Sequence, residues 1–226
     1  MKKLSKGKLI VIEGLDGSGK ATQTSILSSK IRNLNKYVSR VSFPDYNQKS
    51  STLVKMYLNS EFGQTPDEVN AYAASSFYAV DRYASFVKFW KTKYLKGQII
   101  IADRYTSSNA IYQLSKIEKS KWDDYLSWLE DYEYVKLKLP RPNFTIYLDM
   151  PIEISQKFMT KRYQGQEELK DLHEKNIGFL KKCRDSALYS AKKLGWHILT
   201  CNNGDEPKSV DEISDSIFKL VEGVIF

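Results

Sequence analysis

The segment Gly14-Leu15-Asp16-Gly17-Ser18-Gly19-Lys20 carries the clearest chemistry in the chain. Its glycines let successive backbone N–H groups turn inward around phosphate oxygens, a geometry that side chains would obstruct. Lys20 adds a mobile point charge for the β- and γ-phosphates. The segment follows the apolar run Leu9-Ile10-Val11-Ile12 and precedes residues with helical spacing, so a helix N-terminus is aimed at the same anion. Glycines at 14, 17 and 19 do not fit the G-x-G-x-x-G of nicotinamide-binding folds. The expected ligand is ATP, held by Gly14, Gly17, Ser18, Gly19, Lys20, Ala21 and Thr22. Ala21 stands where a Ser or Thr ordinarily offers its hydroxyl to Mg²⁺, and Thr22 comes one residue later.

A second constellation is Asp103-Arg104-Tyr105, after the apolar run Ile99–Ala102. A carboxylate ending a buried strand lies where open α/β sheets bind ligands, and Asp103 can hold Mg²⁺ directly or through water. Arg104 suits charge-assisted, bidentate bonds to a phosphate. Asp16, inside the phosphate loop, would repel ATP unless it points elsewhere. Tyr78 and Arg82 lie four apart on one helix face, a pair that suits a flat, uncharged base with acceptors at its edge. Phe77 takes the place of Tyr78 if the register shifts by one. Asn109, Tyr112 and Gln113 share a face of the next helix and need polar partners there. The basic, glycine-hinged stretch from Lys161 to about position 171 reads as a lid, with Arg162 its foremost cation and Lys161 and Lys170 behind it.

Positioning these groups takes a sheet. Lys8–Glu13, Tyr37–Ser42, Gln98–Ala102, Phe144–Leu148 and Trp196–Thr200 are rich in β-branched residues, several apolar at nearly every position, as in parallel strands covered on both faces. Helical spacing fills Thr22–Leu34, Pro66–Leu95, Thr106–Leu114, Lys121–Tyr134, Ile152–Arg162, Asp171–Leu194 and Val210–Val221. The alternation predicts an α/β fold, three layers with a five-stranded parallel sheet flanked by helices, and one domain over 1–226.

Composition narrows the setting. The chain has 226 residues and a formal charge of +8, with its basic residues scattered and not in one block. That charge suits a polyanionic partner without choosing one. No apolar run approaches the roughly 20 residues that span a bilayer. The basic N-terminus lacks the apolar length of a signal peptide, and Cys183 and Cys201 stand outside metal-ligand spacing. A cytoplasmic protein with reduced thiols, free of membrane, is the expectation.

At this point the residues resemble the thymidylate kinase family. Glu13 to Gln23, Phe43-Pro44, Asp103-Arg104-Tyr105, Ser108 to Gln113, and Leu139-Pro140-Arg141-Pro142 leading into Phe144–Asp149 occur in that family's order and spacing. The resemblance implies the P-loop kinase fold, Mg²⁺ as cofactor, and transfer of the ATP γ-phosphoryl to dTMP, giving dTDP and ADP. It implies Asp16 facing the deoxyribose 3′-hydroxyl, Tyr78 stacked on thymine and Arg82 bonded to a thymine carbonyl. It also implies Arg104 on the acceptor phosphate, Pro44, Ser108, Asn109, Tyr112 and Gln113 completing the pocket, and Arg162 acting on the transferring phosphoryl or stacking on adenine. A homodimer and no nucleic-acid partner follow as well. Two further places depart from the pattern. Asp45-Tyr46 follows Pro44 with no arginine, and Leu172 replaces an arginine in Asp171-Leu172-His173-Glu174. These leave open another pyrimidine nucleotide or a deoxynucleoside as acceptor, or an ATP-binding protein without catalysis. His173 reads as a helix cap or surface residue.

Overall fold

The computed structural model describes residues 6–166, 171–174 and 176–226. Strands β1 (Leu9–Gly14), β2 (Val38–Ser42), β3 (Ile99–Asp103), β4 (Phe144–Asp149) and β5 (His197–Thr200) form one sheet in the order β2-β3-β1-β4-β5. Every pairing is parallel. The central β1 is buried along its whole length, as its unbroken apolar run requires of a strand covered on both faces.

The helices are α1 (Lys20–Asn33), α2 (Thr52–Leu58), α3 (Ala71–Ser85), α4 (Lys91–Leu95), α5 (Ser107–Tyr112), α6 (Trp122–Glu130), α7 (Ile152–Arg162), α8 (Ile177–Leu194) and α9 (Val210–Ile225). Alternation along β1 divides the core. Ile10 and Ile12 pack with Leu27 and Ile31 of α1 and with Ile213, Ile217 and Val221 of α9. Leu9 and Val11 face the other way, toward Phe86, Trp90 and Tyr94. The three expected layers are present.

Parallel register brings the strands' carboxyl ends to one edge. Ile12 pairs with Asp103 and Gly14 with Leu148, so the phosphate loop emerges beside Asp103-Arg104. Ligands bind at such an edge in open α/β sheets.

Several helices differ from their expected form. The stretch expected as one helix over Pro66–Leu95 opens with a 3₁₀ turn at Pro66–Glu68, restarts at the Asn70 cap, and widens into a π-helical turn at Phe86–Trp90. The wide turn brings Phe86 and Trp90 into the core together, their rings 4.6 Å apart. A second π-helical turn, Asp131–Lys136, follows α6 and buries Glu133 completely. Helix α8 begins at Ile177, capped by Asn176, and Asp171–Glu174 form a separate turn before it. Helix α2 and the small hairpin β6–β7 (Asn202–Asn203 with Glu206–Pro207) were not expected from the sequence. Cys183 and Cys201 are buried and unpaired. Among the described residues no helix is long and apolar enough to cross a membrane.

Candidate active site

The phosphate loop needs its glycines for concrete reasons. Gly17 has φ 80, and a Cβ there would come within 2.5 Å of the Ser155 carbonyl oxygen. Gly19, with φ 86, precedes α1, and no side chain caps that helix. The first N–H groups of α1 are therefore left for an anion. Lys20 curls over the loop, donating from Nζ to the Leu15 carbonyl at 2.8 Å. Burial, and then Arg104, push its ammonium down to about 8, although Asp16, Asp103 and Glu13 pull the other way.

Glu13 anchors the neighbouring motif. Its buried carboxylate accepts from the Tyr105 backbone N–H at 3.0 Å, from Ser107 Oγ at 2.8 Å and from Ser108 Oγ at 2.9 Å. Burial raises its pKa, against the attraction of Arg104 and these bonds. The start of α5 is thus tied to the last turn of β1. Ser108, expected on substrate, lines the cavity but gives its hydroxyl to Glu13.

Arg104 sits on left-handed backbone, φ 66. Its Nη2 pairs with Asp16 Oδ1, and its guanidinium lies over the Tyr112 ring at 5.2 Å. The Tyr112 hydroxyl donates to Asp16 Oδ2 at 2.9 Å. Burial alone would raise the Asp16 pKa, but Arg104, Lys20 and the Tyr112 bond bring it down to about 2. Asp16 is therefore turned from the loop's phosphate cradle toward Arg104 and Tyr112, which removes the conflict with ATP.

A cavity of about 1060 Å³ opens here. It is lined by the loop from Asp16 to Thr22, by Pro44, Tyr78, Arg82, Ser108, Asn109, Tyr112 and Gln113, and by Asp103, Arg104 and Arg162. Apart from the two lid lysines, only Gly14 of the expected site residues is not part of its wall. Tyr78 faces the cavity, whereas Phe77 packs against Phe62 and Tyr57 at 5.5 and 6.4 Å. Of the two, Tyr78 is the one that lines the cavity. Neither amide atom of the fully buried Gln113 makes a hydrogen bond of good geometry, and its side chain lies near Tyr57.

One expectation needs correction, and two of the expected residues arrive already partnered. Arg82 does not arrive with a free fork. Its Nε and Nη2 clamp Glu133 at 2.7 and 2.5 Å, and Nη1 donates to the Tyr105 carbonyl at 3.3 Å. Three of its N–H groups are thereby used by the scaffold. Asn109 likewise spends both amide hydrogens, on Glu133 at 2.9 Å and on the Ser75 carbonyl at 3.2 Å. His173 is not a surface residue either. It is buried, lines the cavity and stacks on Tyr112 at 5.4 Å.

The structure also supplies groups that sequence reasoning missed. Lys55 of α2 lines the cavity beside Tyr46, its Nζ donating to the Tyr46 carbonyl at 2.9 Å. A cation therefore stands near the place where Asp45-Tyr46 lacks an arginine. Asp171 and Glu174 also face the cavity, and burial with Asp16 and Glu174 nearby raises Asp171 to about 7. Pro207, Lys208 and Val210 also line the cavity. Arg162 reaches the cavity with its guanidinium 5.5 Å from the Tyr163 ring, and the Tyr163 hydroxyl donates to Glu174 at 2.9 Å. Lys161 is exposed and outside the cavity wall, and Lys170 lies outside the described residues.

For a metal, the described residues offer no cluster of three or more His, Cys, Asp or Glu. Asp103 lines the cavity, and its carboxylate takes no hydrogen bond from a described residue. One free carboxylate beside a phosphate cradle fits Mg²⁺, which keeps most of its waters and shares phosphate oxygens.

The sequence model of the thymidylate kinase family matches residues 12–213. A thymidylate kinase of Mycobacterium tuberculosis is 30% identical over 148 residues, covering 65% of this chain and 68% of that protein. One of Ligilactobacillus salivarius is 27% identical over 220 residues, covering 96% and 98%. One of Plasmodium falciparum is 26% identical over 216 residues, covering 96% and 90%. The fold is similar to that of a solved thymidylate kinase of Candida albicans, with a TM-score of 0.70 at 24% identity, covering 97% of this chain and 92% of that one.

Proposed function

The chain belongs to the thymidylate kinase family, and from that premise we propose residue roles for transfer of the ATP γ-phosphoryl to dTMP, giving dTDP and ADP. The observation that supports the assignment is the cluster that Arg104 and Tyr112 make with Asp16 of the phosphate loop, lining one cavity with the rest of that loop. ATP fits the side of the loop, where the α1 N-terminus and Lys20 meet its phosphates. The acceptor fits the other side, with its base against Tyr78 and beside Gln113. Its phosphate competes with Asp16 for Arg104, helped by Lys55, and its 3′-hydroxyl takes Asp16 in exchange. Two N–H groups of Arg82 remain for the base edge.

Transfer is in line and direct, with no covalent enzyme intermediate. Catalysis comes from positioning and from cations that offset charge on the transferring group, Lys20 and Arg162 among them. Asp103, directly or through water, is the residue that would hold Mg²⁺, which when bound neutralises phosphate charge. Ala21 supplies no hydroxyl, so Asp103 would hold the metal without help from that position.

A nucleoside and nucleotide panel in an ADP-release assay tests the reading, and dTMP is expected to give the highest kcat/KM. The second reading, another pyrimidine acceptor, is favoured by Asp45-Tyr46 and by the scaffold's use of Arg82. It prevails if any other acceptor outranks dTMP.

The exposed face of α3 supports the homodimer. Tyr72, Val80, Tyr83 and Val87 are each 44–49% exposed at helical spacing, the last just past the helix end. Light scattering is expected to give the mass of two chains, and Val80→Asp with Val87→Asp to reduce it to one. Two buried free thiols suit a reducing compartment, and the cytoplasm is the proposed location.

A further inference from the structure

The turn Asp171–Glu174 delivers His173 between two tyrosines. Its ring is nearly parallel to Tyr112 and meets Tyr57 edge-on, with both centroids 5.4 Å away. His173 Nε2 lies 2.9 Å from the Tyr57 hydroxyl. The same hydroxyl receives Lys116 Nζ at 2.7 Å, and Lys116 also donates to the Val69 carbonyl at 3.1 Å.

Donor and acceptor inventories then fix the protons. An ammonium only donates, so the Tyr57 oxygen accepts from Lys116 and must place its own hydrogen on another atom. The Gln113 amide is near but poorly aligned, which leaves His173 Nε2 as the acceptor. Nε2 therefore carries a lone pair and Nδ1 the hydrogen. Burial, and then the Lys116 charge, keep the imidazole neutral by holding its pKa down at about 3. Nδ1 itself makes no hydrogen bond to a described residue, while the side chain lines the cavity.

We propose that His173 is a substrate-contacting residue whose Nδ1–H is offered to the sugar hydroxyl that Asp16 receives, with Lys116 and Tyr57 as positioning residues that fix this tautomer from behind. A hydroxyl both donates and accepts. Asp16, ionised, takes its hydrogen, and a neutral N–H satisfies its lone pair. An imidazolium in this place would instead compete with Arg104 for the carboxylate. The contact rests on the assignment of Asp16 to the acceptor's 3′-hydroxyl.

The experiment has a spectroscopic and a kinetic arm. The chain has two histidines, so ¹⁵N-histidine labelling of the His197→Asn protein leaves one set of ring resonances. Long-range ¹H–¹⁵N correlations are expected to show hydrogen on Nδ1 and a bare Nε2 from about pH 5 to about pH 7, below the Lys116 pKa that burial lowers to about 8. Adding dTMP should move the Nδ1 resonance. Tyr57→Phe and, separately, Lys116→Met should mix the tautomers, and KM for dTMP should rise more than kcat falls. The preference for dTMP over its 3′-deoxy analogue should shrink roughly threefold to tenfold in His173→Phe, the worth of one neutral hydrogen bond. Hydrogen on Nε2, an Nδ1 resonance indifferent to dTMP, or an unchanged tautomer in both variants overturns the proposal. An enzyme that ignores dTMP defeats the functional reading and the sugar contact with it, and the tautomer spectra then judge the relay alone.

Discussion

Two arginines of the same cavity wall pair with carboxylates in opposite conditions. Arg82 and Glu133 are 1% and 0% exposed, joined by a two-point clamp and braced by Asn109 and the Tyr105 carbonyl. Arg104 and Asp16 are 15% and 19% exposed, joined at one point, with Tyr112 on the second carboxylate oxygen. The inner pair has little room to exchange partners, because removing one charge strands the other in the core. The outer pair lies where a phosphate and a hydroxyl can replace each member's partner in turn. On the proposed roles, one residue type serves as a fixed strut in one place and as an exchangeable ligand in the other, and burial decides which.

The largest expected effect falls on the outer pair. Arg104→Ala should lower kcat/KM by about 10³-fold or more while the melting temperature changes little. Lys20→Ala should behave alike. Near-full activity in either variant removes that residue from the site. The inner pair should show the reverse balance. Glu133→Gln is expected to destabilise by about 3–5 kcal/mol in urea denaturation, and Arg82→Met with Glu133→Met should recover most of that loss. A single inner substitution that abolishes activity without lowering stability would break the comparison.

Groups that the cavity wall holds uncharged sharpen it further. His173 has a folded pKa near 3 and an ordinary one of 6.5, so the unfolded chain binds more protons between them. Its contribution to stability is complete above 6.5 and is lost as pH falls toward 3. Asp171 is raised from 3.8 to about 7, so the folded chain binds more protons in that window, and stability declines as pH rises through it. Denaturation series on His173→Phe and Asp171→Asn should therefore remove pH slopes of opposite sign. Equal slopes would mean that one of these groups is charged after all. The smallest effect belongs to the loop itself. Ala21→Ser should lower the Mg²⁺ concentration for half-maximal activity a few-fold, and no change would mean that the metal needs no hydroxyl there.

Much of this was legible before any coordinates. Unbroken apolar runs marked the strands, and the glycine-lysine pattern marked the loop that Gly17 and Gly19 shape. What stayed hidden depended on distant contacts. Glu133 is 51 residues from Arg82 and reaches it from a π-helical turn, which leaves no periodic signature. Lys55 sits on a helix of seven residues, too short for a pattern to stand out. His173 looked like a cap because local sequence cannot report the rings of Tyr57 and Tyr112 on either side.

The backbone at Arg104 has an evolutionary consequence. A left-handed residue bearing a Cβ costs about 1–2 kcal/mol relative to glycine, so stability alone favours Gly or Asn at this position. A lineage released from the need for phosphoryl transfer would drift toward those residues. On the role proposed for Arg104, arginine held at φ 66 is stability given up for activity. A mutational scan should see position 104 prefer different residues when variants are sorted by folding and when they are sorted by growth.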